Sequence, residues 1–331
     1  MIIESQFKPA WWLKGGNLQT CYPSLFRKKS LPNGCWKRLE LADGDFLDLF
    51  IAEPEAYAGD YTSENAPIIV LLHGLEGSIH SSYAHGLLSQ FVKQGWGGIQ
   101  MHFRGCSGEP NRNARAYHSG EIEDFTYVLN WLIEQYPNRP VAAVGFSLGG
   151  SVLLNYLGKK RQETRLVGGV AVSVPLQLDI SGARINQGFS RAYQKMLLDS
   201  LREKIRNNEV LLERLQLSKQ DVDEISSFYH FDDKITAPLH DFASADDYYQ
   251  KSSARQYLIN IEKPTLIIHA KDDPFMTVEV IPTEAELSAE VTFELCNSGG
   301  HVGFVSGNNP LQPEYFLETR IPQYFAQLFE R

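Results

Sequence analysis

A serine, an aspartate and a histidine, far apart in the chain, have the types and the order needed for acyl transfer. Ser147 lies in the segment GFSLG, which matches the pattern G-x-S-x-G. It precedes Asp273 by 126 residues, and Asp273 precedes His301 by 28. A serine hydroxyl is a poor nucleophile until a base takes its proton, and a histidine oriented by a carboxylate can be that base. We therefore predict that Ser147 is the nucleophile, His301 the base and Asp273 the orienting acid.

The G-x-S-x-G pattern is weak by itself, because glycine and serine frequencies give roughly one chance match in ten chains of this length. Its surroundings make it more specific. Val141–Phe146 is an apolar run typical of a strand, and residues 150–157 are compatible with a helix. A strand, a sharp turn and a helix are the setting of a nucleophile elbow. The alternative interpretation is a serine in a glycine-rich turn that only begins a helix.

Two adjacent acids, Asp272 and Asp273, follow the predicted strand Thr265–Ala270. Alternate side chains of a strand point to opposite faces, so only one of the two carboxylates should reach His301. Asp273 stands three residues after Ala270, the small residue that closes the strand, and the proline after it restricts its backbone to extended conformations. We predict that Asp273 orients His301, and that Asp272 caps the turn or pairs with a surface base.

Stabilisation of a developing oxyanion needs two backbone amides near the serine. The segment HGLEG at 73–77 follows the apolar run Ile68–Leu72, and Leu148 follows Ser147 at the start of a predicted helix. We predict that the amides of Leu75 and Leu148 form the oxyanion hole. For His73 we favour a structural role, bracing this loop, over proton transfer.

The elements that position these residues alternate between strands and helices. Short apolar runs without alternation are typical of strands buried on both faces, as in a parallel sheet. Helical spacing recurs between them, at 83–94 and 121–134, while 36–41 and 46–50 flank an Asp-Gly hairpin signal. Chain order Ser, Asp, His is that of α/β-hydrolases. We predict an α/β-hydrolase fold with a mostly parallel central sheet and helices on both faces. Its strands are expected at 68–72, 98–101, 141–146, 167–174, 265–270 and 291–295.

About ninety mostly helical residues interrupt this rhythm before Pro264. We predict one domain over 1–331, with a helical cap inserted at about 176–258, here called the cap segment. Leu197, Leu201 and Ile205 lie four apart on one helix face. The cap segment either packs on its own domain or forms a lid that contacts apolar substrate. The stretch 53–65 is predicted to be an exposed loop.

Composition and charge exclude several classes of protein. The 331 residues are 43% hydrophobic and 21% charged, as in globular proteins, and the net charge of −9 disfavours nucleic-acid binding. No apolar run is long enough to span a bilayer, and no secretory signal is visible, although peripheral lipid contact stays open. Four dispersed cysteines favour a reducing cytoplasm. No P-loop, dinucleotide fingerprint or metal-ligand spacing occurs, so we predict no cofactor and no metal.

Two further side chains near the predicted strand ends have alternative roles. Arg104 could orient substrate, but we favour a salt bridge to Glu109 or to an acid of the cap segment. Cys106 lacks a strand-to-helix elbow, and we expect it to be a small packing residue rather than a nucleophile.

Several long segments resemble the bacterial YheT-type esterases of the abhydrolase group, which also includes mammalian membrane-linked lipases and phospholipases. The resemblance extends from near residue 17 to the end and implies a serine hydrolase acting on short- or medium-chain acyl esters or acylglycerols. The nucleophile, acid and base of the family fall on Ser147, Asp273 and His301. Near the start, the Leu-Gln-Thr of the family is present at 18–20 without the histidine that often precedes it. The matching segments are RLELADGDFLD (38–48), HGLEGS (73–78), MHFRGCSGEPNR (101–112), YHSGE (117–121), AVGFSLGG (143–150), FDDKITA (231–237), DYY (247–249), KPTLIIHAKDDPFM (263–276) and GGHVGF (299–304).

The leading prediction is thus a serine esterase or lipase that takes a small-molecule ester as its substrate. A thioesterase or an acyltransferase would use the same three residues with a different leaving group or acceptor. A third possibility is a non-catalytic α/β-hydrolase scaffold, which the intact Ser, Asp and His disfavour.

Overall fold

The computed structural model describes residues 1–27, 30–52 and 65–330. Apart from Asn65, the loop predicted at 53–65 lies outside the described residues. The strands of these ranges are β1 Ile2–Glu4, β2 Gly34–Glu40, β3 Phe46–Ala52, β4 Ile68–Leu72, β5 Gly97–Met101, β6 Val141–Phe146, β7 Gly169–Val172, β8 Thr265–Ala270, β9 Val291–Cys296, β10 Val305–Ser306 and β11 Glu314–Tyr315.

Nine of these strands form one sheet in the order β1-β9-β8-β7-β6-β4-β5-β3-β2. Neighbouring strands from β1 to β5 in this order are parallel, whereas β3 and β2 are antiparallel additions at one edge. The mostly parallel sheet and the hairpin are therefore confirmed. Strand β7 is shorter than the predicted 167–174.

Helices cover both faces of the sheet, as predicted. Alternate residues of β4 belong to two separate apolar clusters, one on each face. The first cluster includes Phe125 and Leu153 from two helices on one face, and the second includes Phe91 and Phe325 from two helices on the other face. The helices are α1 Gly16–Phe26, α2 Ser82–Lys93, α3 Glu123–Gln135, α4 Leu148–Lys160, α5 Leu178–Ile185, α6 Ser190–Arg206, α7 Glu209–Leu215, α8 Lys219–Asp223, α9 Phe228–Phe231, α10 Ala237–Leu239, α11 Ala245–Ser252 and α12 Leu317–Phe329.

The cap segment contributes helices α5 to α11 between β7 and β8. It has an apolar cluster of its own, in which Leu198, Leu201 and Ile205 of α6 are buried. The description of this segment as an insertion in a single domain stays a prediction. In the ranges 1–27, 30–52 and 65–330, no helix combines the length and the apolar character needed to cross a membrane.

The first strand and the first helix were not predicted. Strand β1 is only three residues long and pairs in parallel with β9, and the Met1 ammonium donates a hydrogen bond of 2.8 Å to the carbonyl of Val291. Three residues are too few to show a period, so only the tertiary pairing identifies this strand.

Candidate active site

Ser147 stands alone between the end of β6 and the start of α4, in a backbone conformation that non-glycine residues rarely adopt. Its φ is 50° and its ψ is −116°. Such strain costs on the order of 1–3 kcal/mol and persists only where the surroundings enforce it. Here the Ser147 amide donates a 2.9 Å hydrogen bond to the carbonyl of Val172 on the neighbouring strand. The turn projects the hydroxyl beyond the carboxyl ends of the strands.

The two glycines of the motif allow the strand and the helix to approach closely. A Cβ on Gly145 would overlap the carbonyl oxygen of Gly149, and a Cβ on Gly149 would overlap the carbonyl oxygen of Leu72. Both overlaps involve backbone atoms, which no rotamer change can relieve. The motif therefore has a steric reason for glycine at each of these positions.

The structure brings the side chains of Ser147, His301 and Asp273 into one hydrogen-bonded chain. His301 Nε2 lies 3.0 Å from Ser147 Oγ, and His301 Nδ1 lies 2.8 Å from Asp273 Oδ2. A carboxylate can only accept, so Nδ1 carries the proton and Nε2 is free to accept the serine proton. The Asp273 side chain is 1% exposed, and its other oxygen accepts a 2.8 Å hydrogen bond from the Phe275 amide.

Asp272 points away from the imidazole and holds the loop that carries it. Its Oδ1 accepts the Gly300 amide at 2.9 Å, and its Oδ2 accepts the Ser298 hydroxyl at 2.8 Å. The predicted capping role fits these contacts, although the turn that Asp272 caps is the one leading to His301. No surface base is among these partners.

Helix α1 supports the same loop from the other side. The Thr20 hydroxyl accepts a 2.8 Å hydrogen bond from the His301 amide, and a Cβ on Gly300 would overlap the carbonyl oxygen of Gly16. Gln19 is fully buried and bonds both backbone groups of Val305. Sequence reasoning gave these residues no role. The Leu-Gln-Thr segment of the resemblance was the available signal.

The imidazole of His301 is also held by stacking. The ring of Phe275 lies parallel to it, with centroids 4.0 Å apart and an interplanar angle of 5°. Together with the Asp273 hydrogen bond, this contact restricts the ring to one orientation facing Ser147.

The loop after β4, which carries Leu75, passes close to the serine. A Cβ on Gly74 would lie 3.3 Å from Ser147 Cβ. The neighbouring amides of Gly74 and Glu76 donate to the hydroxyls of Tyr83 and Tyr117. Within the part of the chain that the structure describes, no group accepts a hydrogen bond from the amides of Leu75 or Leu148. Both amides are therefore available to an oxyanion.

His73 is fully buried behind this loop. Its Nδ1 donates to the carbonyl of Gly74 at 2.7 Å, and its Nε2 accepts the Phe103 amide at 3.1 Å. Burial lowers the pKa of His73 to about 3, so the ring is neutral. These contacts agree with the predicted bracing role.

A cavity of about 610 Å³ opens beside Ser147 and His301 and extends under the cap segment. Leu197, Leu201 and Ile205 all line it, so the predicted apolar face of α6 faces the cavity. The cavity wall also includes Asp232, whose carboxylate accepts hydrogen bonds from the hydroxyls of Thr236 and Tyr249 at 2.7 and 2.8 Å. Burial raises the pKa of Asp232 to about 6.

Arg104 has other partners than the predicted ones. Its guanidinium makes a two-point contact with Asp124 at 2.8 and 2.7 Å and further contacts with Asp45 and Asp43. Glu109 pairs with Arg38 instead. The prediction of a salt bridge was right, but its partners were wrong, because the guanidinium points toward the β2–β3 turn and helix α3 rather than toward the cap segment.

Cys106 is buried, as expected of a packing residue, and its sulfur lies 3.2 Å from the Lys204 ammonium. Burial raises the pKa of the Cys106 thiol to about 11, which disfavours the nucleophilic thiolate. All four cysteines are free.

One cluster in the described ranges has the spacing that a metal ion requires, namely His118, Glu121 and His240. Glu121 is paired with Arg115 at 2.8 Å, and His118 Nδ1 accepts the Gly120 amide at 3.1 Å. A metal-binding histidine normally donates from its second nitrogen. His118 and Glu121 are therefore held by hydrogen bonds within the protein, whereas His240 Nε2 is buried without a hydrogen-bond partner among the described residues.

Comparison with known proteins agrees with this architecture. The family model described as alpha/beta hydrolase fold matches residues 67–308. The chain is 44% identical to the Escherichia coli protein named "Putative esterase YheT" over 99% of this chain and 95% of that one. It is 30% identical to a Saccharomyces cerevisiae monoacylglycerol lipase over 72% of this chain and 55% of that one. The solved Pyrococcus furiosus esterase Pf2001 superposes with a TM-score of 0.56 at 16% identity, covering 99% of this chain and 97% of that one.

Proposed function

The chain belongs to the α/β-hydrolase fold family and is a carboxylic ester hydrolase, and from this premise we propose that it cleaves short- to medium-chain acyl esters or monoacylglycerols through an acyl-serine intermediate on Ser147. The observation that carries the proposal is the continuous hydrogen-bonded chain from Asp273 through His301 to Ser147. It supplies an activated nucleophile at the mouth of an apolar cavity.

The reaction has two steps that use the same groups. As Ser147 Oγ attacks the ester carbonyl, His301 Nε2 takes the hydroxyl proton, and Asp273 stabilises the imidazolium that forms. The amides of Leu75 and Leu148 hold the negative oxygen of the tetrahedral intermediate. The intermediate collapses, and the leaving alcohol receives the proton from His301. Water, activated by the same imidazole, then attacks the acyl-serine and releases the acid.

The cavity supports a small ester as the substrate. Its volume of about 610 Å³ lies within the range of sites that enclose a small molecule, and its lining is mostly apolar. An acyl group can therefore bury its chain against α6 while the carbonyl lies at Ser147. A triacylglycerol with three long chains would far exceed this space.

Chain-length preference tests this part of the proposal. We expect short- and medium-chain esters and monoacylglycerols to be hydrolysed with a higher kcat/KM than emulsified long-chain triacylglycerols. The assay compares an acyl series on one alcohol with triolein under the same conditions. A strong preference for the triacylglycerol would contradict the proposal.

The catalytic part is tested by covalent labelling with a fluorophosphonate probe followed by peptide mass spectrometry. We expect stoichiometric labelling of Ser147 in the wild type. Ser218→Ala, which removes a hydroxyl that caps a short helix in the cap segment, is the matched control and should label normally. Labelling at another serine, or none, would overturn the assignment. Parallel assays with oxygen esters and acyl-CoA separate an esterase from a thioesterase, because both would use the same three residues.

The cytoplasmic location stays part of the proposal. Its support is the set of four unpaired cysteines, which suits a reducing compartment.

A further inference from the structure

Glu76 occupies an unusual position directly after Leu75, one of the two proposed oxyanion donors. Its φ is 56°, in the left-handed region that non-glycine residues rarely occupy. Its side chain is only 6% exposed. A strained backbone and a buried carboxylate at one residue both carry a free-energy cost, so the surroundings must enforce them.

Two side chains of the cap segment bind the Glu76 carboxylate. Lys204 Nζ donates to Glu76 Oε1 at 2.8 Å, and Ser200 Oγ donates to Oε2 at 2.6 Å. Both donors lie on helix α6, four residues apart and therefore on one face. Tyr117 completes the set, because its hydroxyl donates to Oε1 at 2.8 Å and accepts the Glu76 amide at 2.9 Å.

Leu75 is in contact with the cap segment as well. Its side chain packs against the main core cluster and also against the apolar cluster formed by Leu201, Ile205 and their neighbours. The loop that carries the Leu75 amide is thus attached to α6 by an ion pair, a hydroxyl and an apolar contact.

We propose that Glu76 is a positioning residue, which ties the loop of residues 73–77 to helix α6 and thereby aims the Leu75 amide at the oxyanion. The inference rests on the proposed function. It adds that the geometry of the oxyanion hole depends on the seating of the cap segment. When α6 is in place, Lys204 and Ser200 neutralise and bind the carboxylate, and the strained backbone at Glu76 is maintained. When α6 moves, the carboxylate loses these partners and the loop can relax.

The expected effect on catalysis follows from how much each oxyanion donor contributes to kcat. Removal of one donor typically lowers kcat by about 10²- to 10³-fold. A misaimed amide retains part of its interaction, so we expect a loss of about 10- to 100-fold. Because the donor acts on the tetrahedral intermediate, the loss should fall on kcat rather than on KM.

The experiment uses two variants that remove the ion pair from opposite ends. Glu76→Gln keeps the length of the side chain and one acceptor oxygen but loses the charge, and Lys204→Met removes the ammonium while keeping most of the stem. Kinetics are measured with a small acetate ester that does not require the cap cavity for binding. We expect each variant to lower kcat about 10- to 100-fold with KM changed less than about threefold. The double variant should be no worse than the poorer single one.

Lys195→Met is the matched control on the same helix, since its ammonium pairs with Asp199 on the exposed face. It should leave kcat and KM unchanged. Lys204→Arg keeps the charge and should recover part of the kcat that Lys204→Met loses. A purely structural role for Glu76 predicts a lower melting temperature with unchanged kcat, and that result would overturn the inference. If Glu76→Gln does not fold, Lys204→Met and Lys204→Arg carry the same test.

Failure of this inference is distinguishable from failure of the proposed function. If the fluorophosphonate probe does not label Ser147 in the wild type, the proposed function fails. If labelling at Ser147 is normal and the Glu76 and Lys204 variants keep their kcat, only the positioning role fails.

Discussion

Two buried aspartates at the same edge of the sheet have different partners, one a histidine and the other an arginine. Asp273 follows β8 and contacts His301, whereas Asp124 on α3 contacts Arg104, which follows β5. Both aspartates are 4% exposed. The difference lies in the partner, because an imidazole can gain and lose a proton near neutral pH while a guanidinium stays charged. A buried carboxylate can assist proton transfer only in the first case.

The two sites also differ in how completely their polar groups are satisfied. Arg104 has a side chain that is 2% exposed, and three carboxylates, from Asp124, Asp45 and Asp43, surround it. This cluster, here called the Arg104 cluster, joins the β2–β3 turn to α3. His301 has one acid, one serine and a face open to the cavity. The fully paired groups of the Arg104 cluster stabilise the fold, whereas the open face of His301 allows it to react with a substrate.

The largest expected effect removes the nucleophile. Ser147→Ala should lose activity by about 10⁶-fold in kcat, because the remaining groups cannot form an acyl intermediate. The melting temperature should stay close to that of the wild type, since the Arg104 cluster and the core are unchanged. Esterase assays of purified protein and thermal denaturation measure the two quantities. Activity near that of the wild type would show that another residue is the nucleophile.

The next effect separates the two adjacent acids after β8. Asp273→Asn should lower kcat by up to about 10⁴-fold with the fold intact, because an amide favours the wrong tautomer of His301. Asp272→Asn should cause a much smaller loss, since Asp272 contacts the Gly300 amide and the Ser298 hydroxyl rather than the imidazole. Steady-state kinetics of the matched pair provide the measurement. The opposite order of losses would place the orienting role on Asp272.

The Arg104 cluster should respond in stability rather than in catalysis. Arg104→Met leaves buried carboxylates without their cation, and breaking such a pair typically costs about 3–5 kcal/mol. Urea denaturation of the variant should show this loss, while the kcat of the folded fraction stays within a few fold of the wild type. A milder companion is Asp43→Asn, because the Asp43 side chain is 35% exposed. A large loss of kcat with unchanged stability would instead assign Arg104 to the substrate site.

The smallest expected effect concerns Asp232, whose carboxylate pairs with neither an imidazole nor a guanidinium among the described residues. Among the described residues, only the hydroxyls of Thr236 and Tyr249 donate hydrogen bonds to the Asp232 carboxylate, and burial raises its pKa to about 6. The folded state therefore binds a proton that the unfolded state releases between about pH 4 and pH 6, and this contribution to stability declines as the pH rises through that window. Asp232→Asn should match the wild type near pH 4 and exceed it by about 1–3 kcal/mol above pH 6.

Urea denaturation at several pH values between 4 and 8 tests that expectation. A difference between Asp232→Asn and the wild type that does not change with pH would show that the carboxylate is not the titrating group.

Much of the site could be predicted because its signals are local. Strands β4, β6 and β8 begin and end at the predicted residues, since the residues of a strand buried on both faces are mostly apolar. Ser147, Asp273 and His301 each follow one of the predicted strands. The carboxyl ends of parallel strands lie at one edge of the sheet. The position of these three residues after their strands, together with the chain order Ser, Asp, His, therefore predicted that they would meet.

The contacts that the sequence did not predict join segments that are far apart in the chain. No local pattern of residues marks them. Thr20 contacts His301 across 281 residues, and Glu76 contacts Lys204 across 128. The predicted partners of Arg104 were wrong because neither an arginine nor its neighbours in the sequence indicate which carboxylates will surround the guanidinium. Such contacts depend on the direction of each side chain after the whole chain has packed.

The sequence by itself therefore determined the fold class and the three residues that meet at the edge of the sheet. Apolar runs and the motif around Ser147 can be recognised from residues that are close together in the chain. Only the tertiary structure decided which helix braces the loop of His301 and which cation neutralises Glu76. Those outcomes are set by distances between elements that are far apart in the chain, and distance in space has no counterpart in a linear pattern.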